Sequence, residues 1–112
     1  MRHTLAVALL WLATGGAAGA SPETDYALQC QGCHGAEGAG VPGHVPPLSG
    51  VAELLATPEG RVRLLAVPGV RQASLSDERL AALLAWVAVR FAPDGGRGSA
   101  PALTGEEVSR LR

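Results

Sequence analysis

Two cysteines and a histidine in one short stretch have the clearest potential for chemistry in this 112-residue chain. Cys30, Cys33 and His34 form the pattern C-x-x-C-H, the attachment sequence of a c-type haem. Residues three apart lie on the same face of a helical turn, so each thiol can add to one vinyl group at the edge of a porphyrin. His34 can then offer its Nε2 to the iron as the proximal ligand. The pattern predicts one covalently bound haem c, with His34 as the metal ligand.

Three other kinds of site also use closely spaced cysteines. A thioredoxin-type dithiol accompanies a βαβ pattern, and no such strands are recognisable in this sequence. A structural zinc site needs four ligands, and His44 is the one further histidine after Ala20. A disulfide between Cys30 and Cys33 would close a very small loop, which adds little stability. These three sites remain alternatives to haem attachment.

The segment from Met1 to Ala20 has the pattern of a secretory signal peptide. Arg2 gives a positive start, the apolar run LAVALLWLA follows, and small residues lead to Ala20. The apolar run is shorter than the about 20 residues that span a bilayer, although an uncleaved membrane anchor is the alternative. We expect cleavage after Ala20, a periplasmic or otherwise exported protein, and no membrane span in the mature chain.

The composition from Ser21 onward is that of one small, nearly neutral domain. A chain that runs only from Ser21 to Arg112 has a marginal hydrophobic core. Without Arg2, eight basic side chains oppose ten acidic ones and form no basic cluster, which argues against nucleic acid as a partner. We therefore expect a bound group to complete the core.

The sequence around the cysteines carries a family resemblance. Tyr26 lies four residues before Cys30, glycines follow His34, and a Pro-Pro-Leu segment begins at Pro46. Residues 26–91 resemble the class I monohaem cytochrome c family. The resemblance implies an all-α fold, a small helical domain wrapped around one covalently bound haem. It also implies that Tyr26 packs on the last helix of the domain.

Pro46 and Leu48 are the further haem-site residues that the resemblance implies. Pro46 would present its carbonyl to the Nδ1–H of His34, and Leu48 would pack on the haem. Independently of the resemblance, a ligating histidine nearly always donates its other N–H to an oxygen. A proline-held loop is stiff, so Pro46 or Pro47 could hold that carbonyl. The two prolines could equally just end the glycine-rich loop.

Helix signals recur along the chain. Pro22 predicts a helix from Ser21 to about Cys33; residues 35–47 have the composition of a loop, and shorter helices are expected at 51–56 and from 57 to the break at 68. The clearest helix covers residues 77–91, with Ser76 as its N-cap. Its residues at helical spacing form an apolar stripe, and the resemblance, in which this helix crosses the first one, implies contacts of Tyr26 with Leu83 and Trp86.

The C-terminal segment is expected to form a linker and a short helix. Residues 92–101 have linker composition, and Thr104 with Glu107 forms a capping-box pattern. The predicted organisation is a signal peptide at 1–20, a haem domain at 21–91, and a linker with a C-terminal helix at 92–112.

The sixth iron ligand is missing from its usual place. The resemblance implies a methionine from the loop before the last helix, here about residues 68–75, but Met1 is the only methionine and the chain has no lysine or asparagine. The sixth position could be open or filled by water, by His44, or by a ligand from a partner protein. Without methionine we expect a lower reduction potential.

The expected function is single-electron transfer by an exported haem protein without catalytic residues. Its partner would be a redox protein, from a dehydrogenase or an oxidase chain. One alternative is small-ligand binding or sensing at an open iron, with weak peroxidase-like turnover and Arg71 as a candidate ligand contact. Another is an accessory haem subunit, fixed in a larger redox complex by residues 97–112.

Overall fold

The computed structural model describes residues 19–96 and 102–112, and within these ranges the secondary structure is helical, which confirms the all-α prediction. The predicted signal peptide lies outside the described residues, except for Gly19 and Ala20. A 3₁₀ turn at Leu48–Gly50 accompanies seven α-helices in the described ranges: α1 Pro22–Gln29, α2 Gln31–His34, α3 Val51–Leu55, α4 Pro58–Ala66, α5 Pro68–Arg71, α6 Asp77–Arg90 and α7 Gly105–Leu111.

Hydroxyl side chains cap the starts of four helices. Ser21, Thr57, Ser76 and Thr104 each accept a hydrogen bond from the backbone N–H three residues later, which satisfies a donor that the first turn leaves unpaired. Only half of the predicted capping box is present, because the carboxylate of Glu107 turns away from the N-cap and pairs with another helix.

Two local predictions differ from the structure. The helix expected from Ser21 to Cys33 is interrupted at Cys30, whose backbone has φ −126°, so α1 and α2 are separate helices. The predicted loop at residues 68–75 contains the single turn α5, with Pro68 at its first position. Proline lacks the N–H that a first-turn position leaves unpaired, and its fixed φ suits the start of a helix.

Helix α6 forms the centre of the core, and α1 crosses it through an aromatic cluster. The rings of Tyr26 and Trp86 lie 5.5 Å apart between centroids, as the family resemblance implied. Phe91 joins them, at 5.1 Å from Tyr26 and 5.9 Å from Trp86. Leu83 is buried in the same hydrophobic core. These separations are in the range in which aromatic pairs add stability beyond their buried area.

An ion pair with a buried carboxylate also joins α1 to α6. Asp25 is 2% exposed, and both of its carboxylate oxygens accept hydrogen bonds from Arg79, with Nε at 3.2 Å from Oδ2. Such a two-point contact fixes the orientation of both side chains. The carboxylate is therefore buried without losing its hydrogen-bond partners.

The short helix α7 packs against α6 and α4. Val108 is fully buried, and Arg61 of α4 donates to both carboxylate oxygens of Glu107 at 2.9 and 2.7 Å. A Cβ on Gly105 would lie 2.9 Å from the side chain of Glu78, so glycine permits this close approach. A helix this short is not stable alone; its contacts with α4 and α6 stabilise it.

Among residues 19–96 and 102–112, every helix is too short or too polar to cross a membrane.

Candidate haem-binding site

The break between α1 and α2 positions the two cysteines. The N–H groups of Cys33 and His34 donate to the carbonyl of Cys30 at 3.2 and 3.0 Å, which forms one tight turn. Cys30 is half-buried and packs against the core, whereas Cys33 is exposed. Gly35, with φ +79°, then ends α2 in a conformation that favours glycine. The turn brings both thiols and the imidazole to one side of the domain.

His34 is oriented by a backbone carbonyl from a distant loop. Its Nδ1 lies 3.0 Å from the carbonyl oxygen of Pro46, and since a carbonyl only accepts, Nδ1 carries the proton and donates it. The tautomer with a proton on Nδ1 leaves Nε2 with its lone pair free for a metal. The arrangement matches the second-sphere hydrogen bond that ligating histidines usually make.

The loop that carries Pro46 depends on two closely packed glycines. A Cβ on Gly40 would lie 2.2 Å from the oxygen of Val45 and 2.7 Å from that of Pro46. A Cβ on Gly38 would lie 2.8 Å from the ring of Phe91, and the Gly38 carbonyl accepts the N–H of Leu48 at 2.8 Å. Both glycines have positive φ. The position of the Pro46 carbonyl is therefore fixed by backbone packing.

The motif opens onto a cavity that is partly open to solvent. Cys30, Cys33, His34 and Gln29 contribute its polar groups, and the rest of its wall is aliphatic apart from Gly69. The aliphatic side chains come from the 3₁₀ turn, α3, α4, α5, α6 and the segments beside α5: Leu48, Val51, Leu64, Val67, Val70, Ala73, Leu80, Leu83, Leu84 and Val87. Cofactor sites commonly combine apolar walls with a few placed polar groups. Two thiols, one imidazole with a free Nε2, and apolar walls suit a flat, largely apolar, iron-bearing ring.

The structure brings the predicted residues together to different degrees. Cys30, Cys33, His34 and Leu48 line the cavity, and Pro46 contributes its carbonyl to His34 from behind. His44 is exposed and lies in a separate surface depression between Ala39 and Pro47.

The polar side chains of the segment after α4 also lie outside the cavity. Arg71, Gln72 and Ser74 are exposed and form no part of its lining, whereas their neighbours Val70 and Ala73 do. The segment that stands where the family has its methionine loop thus contributes only aliphatic side chains to the cavity, Val70 and Ala73.

The thiol environment differs from that of a reactive dithiol. Burial raises the pKa of the Cys30 thiol above its ordinary value, and negative charge at Asp25 and Cys33 raises it further. Redox-active C-x-x-C sites instead have a lowered thiol pKa. No disulfide joins Cys30 to Cys33. In the described part of the chain, no three Cys, His, Asp or Glu side chains form a metal-binding group, so the zinc alternative has no ligand set there.

Comparison with known proteins gives the family. Residues 23–89 match the sequence profile of the cytochrome c family. Two cytochromes c-552 from Thermus thermophilus are each 37% identical over 103 residues. The matches cover 75% of this chain and 79% and 70% of the two relatives. The chain belongs to the cytochrome c family. This cytochrome is of the class I c-type, as the resemblance implied.

Family membership gives the cofactor and the general activity. Cytochromes c carry covalently attached haem c with its iron, so this cytochrome is an electron-transfer haem protein and an electron carrier, not an enzyme. When bound, haem supplies one-electron exchange between ferric and ferrous iron. An electron carrier implies a redox partner.

Sequence reasoning missed several residues of the site. Gln29 lines the cavity beside Cys30, and its position immediately before the motif was the available signal. Val67 and Val70 line it from around α5, and their apolar spacing of three was also visible. The Asp25–Arg79 pair spans 54 positions, and nothing in the sequence indicated that pairing.

Proposed function

We propose that this cytochrome is an exported single-electron carrier whose haem is attached through Cys30 and Cys33, with His34 as the proximal iron ligand. Pro46 orients the imidazole through its carbonyl, and Leu48 contributes to the wall of the haem cavity. The observation that carries the proposal is the 3.0 Å contact between His34 Nδ1 and the Pro46 carbonyl beside an apolar cavity that also exposes both thiols.

Export and domain organisation belong to the same proposal. Residues 1–20 act as a signal peptide cleaved after Ala20, and the carrier works in the periplasm or an equivalent exported compartment. Residues 21–91 hold the haem, and residues 92–112 form the linker and C-terminal helix. The pattern of positive charge, apolar run and small residues supports cleavage.

The redox partner, a protein from a dehydrogenase or an oxidase chain, binds near the turn from Cys30 to His34. Gln31, Gly32 and Cys33 are exposed there, and Leu28 is 73% exposed close by. A small surface of this kind suits the brief contacts of electron-transfer partners. An accessory-subunit role through residues 97–112 is less well supported, because α7 uses its buried face on α4 and α6.

Expression in cells with an active cytochrome c maturation pathway tests the proposal. The expected product is residues 21–112 carrying one haem that survives denaturation, measured by intact mass and by the absorption spectrum. Cys30→Ala and Cys33→Ala should each leave one thioether bond and shift the reduced spectrum, while Arg110→Gln should leave both unchanged. A product with the mass of the bare chain would contradict the proposal.

A second candidate function is the binding of small molecules at a sixth iron position that no side chain among residues 19–96 and 102–112 fills. The supporting observation is the aliphatic character of Val67, Val70 and Ala73, the cavity residues around α5. Because this wall offers no charged or hydrogen-bonding side chain, an anion would lose its hydration without gaining a hydrogen bond from the wall. Uncharged ligands such as carbon monoxide or nitric oxide are therefore favoured over cyanide or azide.

Optical spectra of the oxidised and reduced holoprotein, with and without carbon monoxide, test this second candidate. A high-spin iron that binds carbon monoxide is expected, together with a potential below that of a methionine-ligated relative. His44→Ala should leave the spectrum unchanged, because His44 lies outside the cavity. A low-spin iron that becomes high-spin in His44→Ala would instead indicate bis-histidine ligation.

A further inference from the structure

Arg112, which follows α7, reaches back to the segment between α5 and α6. Its guanidinium donates from Nη2 to the carbonyl of Leu75 at 3.0 Å and from Nη1 to that of Ala73 at 3.4 Å. Its Nε lies 2.8 Å from Oδ1 of Asp77, an ion pair whose angle is not that of an aligned hydrogen bond. One side chain therefore contacts three positions of the segment at residues 73–77.

The segment that Arg112 contacts is part of the haem cavity wall. Ala73 lines the cavity together with Val70 and Val67, and no nitrogen or sulfur side chain comes from these positions. The backbone of the segment has few local ties: the N–H of Leu75 donates to the Ala73 carbonyl at 2.8 Å, and that of Ala73 to Val70 at 3.2 Å. Leu75 packs into the core, and Arg112 adds hydrogen bonds to the carbonyls of Ala73 and Leu75 from outside the segment.

We propose that Arg112 is a positioning residue that holds the 73–75 segment against the haem cavity and so limits the access of small ligands to the iron. The part of this inference that concerns ligand access rests on the unfilled sixth position proposed above. The part that concerns the segment rests only on the contacts of Arg112. With Arg112 in place the segment keeps its position in the cavity wall, and release of Arg112 lets the segment move and widens the path to the iron.

The geometry of the contact explains why arginine is suited to it. The planar guanidinium has five N–H donors in a fixed fork, and it can bind two carbonyls and a carboxylate at once. The side chain of Arg112 is 23% exposed and that of Asp77 is 28% exposed, so water weakens their attraction only in part. A lysine at the same place could pair with Asp77 but could not reach both carbonyls in one plane.

The position of the contact distinguishes it from the rest of the α7 interface. Glu107 anchors α7 to Arg61 of α4, and Val108 is buried between the helices. Neither touches the 73–75 carbonyls through a hydrogen bond given by the structure. Changes at Glu107 should therefore weaken the docking of α7, whereas changes at Arg112 should loosen the cavity wall itself.

Hydrogen–deuterium exchange of the holoprotein tests the contact directly. In Arg112→Gln the amides of Ala73 and Leu75 should exchange about tenfold faster, the size expected for loss of a charge-assisted hydrogen bond. Arg110→Gln is the matched control, because it removes the same charge from an exposed position on α7. Arg112→Lys should give an intermediate rate and serves as the second variant if Arg112→Gln does not fold.

Rebinding of carbon monoxide after flash photolysis of the ferrous protein tests access to the iron. The association rate should rise in Arg112→Gln by roughly the same factor as the amide exchange, because both require the segment to open. It should stay at the wild-type value in Arg110→Gln. Glu107→Gln, measured well below its unfolding temperature, should change the rate less than Arg112→Gln even if it destabilises the protein as much.

The outcomes separate this inference from the proposed function. Unchanged amide exchange in Arg112→Gln would overturn the positioning role, whatever the iron binds. Equal acceleration in Glu107→Gln and Arg112→Gln would also overturn it, because general docking of α7 would then account for the effect. Faster exchange in a protein that never binds carbon monoxide would overturn the open iron and the control of access, while leaving haem attachment intact.

Discussion

The Nδ1 atom of His34 and the carbonyl of Pro46, twelve positions apart in the chain, lie within 3.0 Å. The contact sets the tautomer and the orientation of the imidazole, which makes Nε2 a better placed and stronger donor to a bound metal. The Pro46 carbonyl can occupy this position because Gly40 has no side chain and leaves room for the Pro46 oxygen.

Gly40→Ala should therefore disturb the histidine without changing any group that touches it. The new Cβ would displace the Pro46 carbonyl, weaken the Nδ1 hydrogen bond, and make the imidazole a poorer donor to ferric iron. The reduction potential should rise, and the iron–histidine stretching frequency in the ferrous Raman spectrum should fall.

Gly43→Ala is the matched control for that change. Both glycines have positive φ, at +67° and +77°, so both substitutions cost roughly 1–2 kcal/mol in backbone strain. A Cβ on Gly43 meets nothing within 4 Å. Equal shifts of potential in the two variants would show that strain, not the carbonyl, controls the iron.

Replacing Asp25 and replacing Arg79 should lower the free energy of unfolding by different amounts. Arg79→Gln leaves a buried carboxylate without its counter-charge and should cost up to about 3–5 kcal/mol of unfolding free energy. Asp25→Asn leaves Arg79, which is 45% exposed and can be solvated, so the loss should be nearer about 1–2 kcal/mol. Urea denaturation of both variants and of the double variant measures the order, and a larger loss in Asp25→Asn would contradict it.

Tyr26 should make the protein sensitive to alkali. Burial raises the pKa of its phenol above 10.0; the positive charge of Arg90 opposes this rise, and the negative charge of Glu37 adds to it. The folded state therefore holds the phenol proton to higher pH than the unfolded state does. The stability from this group is complete below about pH 10 and is lost as pH rises towards the folded pKa.

Tyr26→Phe isolates that contribution. It removes the 2.6 Å hydrogen bond to the Gly35 carbonyl and should cost about 0.5–1.5 kcal/mol near neutral pH. Above pH 10 its stability should fall less steeply than that of the wild type in urea titrations. Since Tyr26 is the only tyrosine, the absorbance of the phenolate reports its pKa directly, and a value at or below 10 would refute the prediction.

The contribution of α7 to stability can be measured through Val108. This side chain is fully buried, so Val108→Ala removes two buried methyl groups and leaves a small cavity, at a cost of about 2 kcal/mol. Val62→Ala is the control, since Val62 is 50% exposed and should lose much less. Similar losses in thermal unfolding would mean that α7 is not docked as the structure has it.

The sequence predicted features that depend on neighbouring residues. The helix starts at Ser21, Ser76 and Thr104 and the turn of the C-x-x-C-H motif arise within four or five positions. The family resemblance added longer-range information, including the contact of Tyr26 with the last haem-domain helix. The break at Cys30 was not predicted, because both sides of it are helical and the interruption is a single backbone angle.

The remaining features depend on residues that meet only after folding. Arg112 contacts Leu75 over 37 positions, and Arg61 contacts Glu107 over 46. Arginine and glutamate occur at many surface positions, and a sequence pattern does not tell which of them pair. The packing of α7 on α4 and α6 is of this kind, because a short amphipathic segment has the same appearance whether it docks or projects into solvent.

The packing of the loop that carries Pro46 against Phe91, at Gly38, has a consequence for the order of biogenesis. Cys30, Cys33 and His34 are neighbours in the sequence, so under the proposed export and attachment a still extended chain could offer both sulfurs to the attachment machinery. The Pro46 carbonyl behind the imidazole, by contrast, comes from a loop that packs on Phe91, the residue after α6. This carbonyl therefore takes its final position only when that end of α6 reaches the loop. Covalent attachment of the haem is thus expected to come first. The hydrogen bond that orients the proximal histidine forms later, when the domain has folded around the haem.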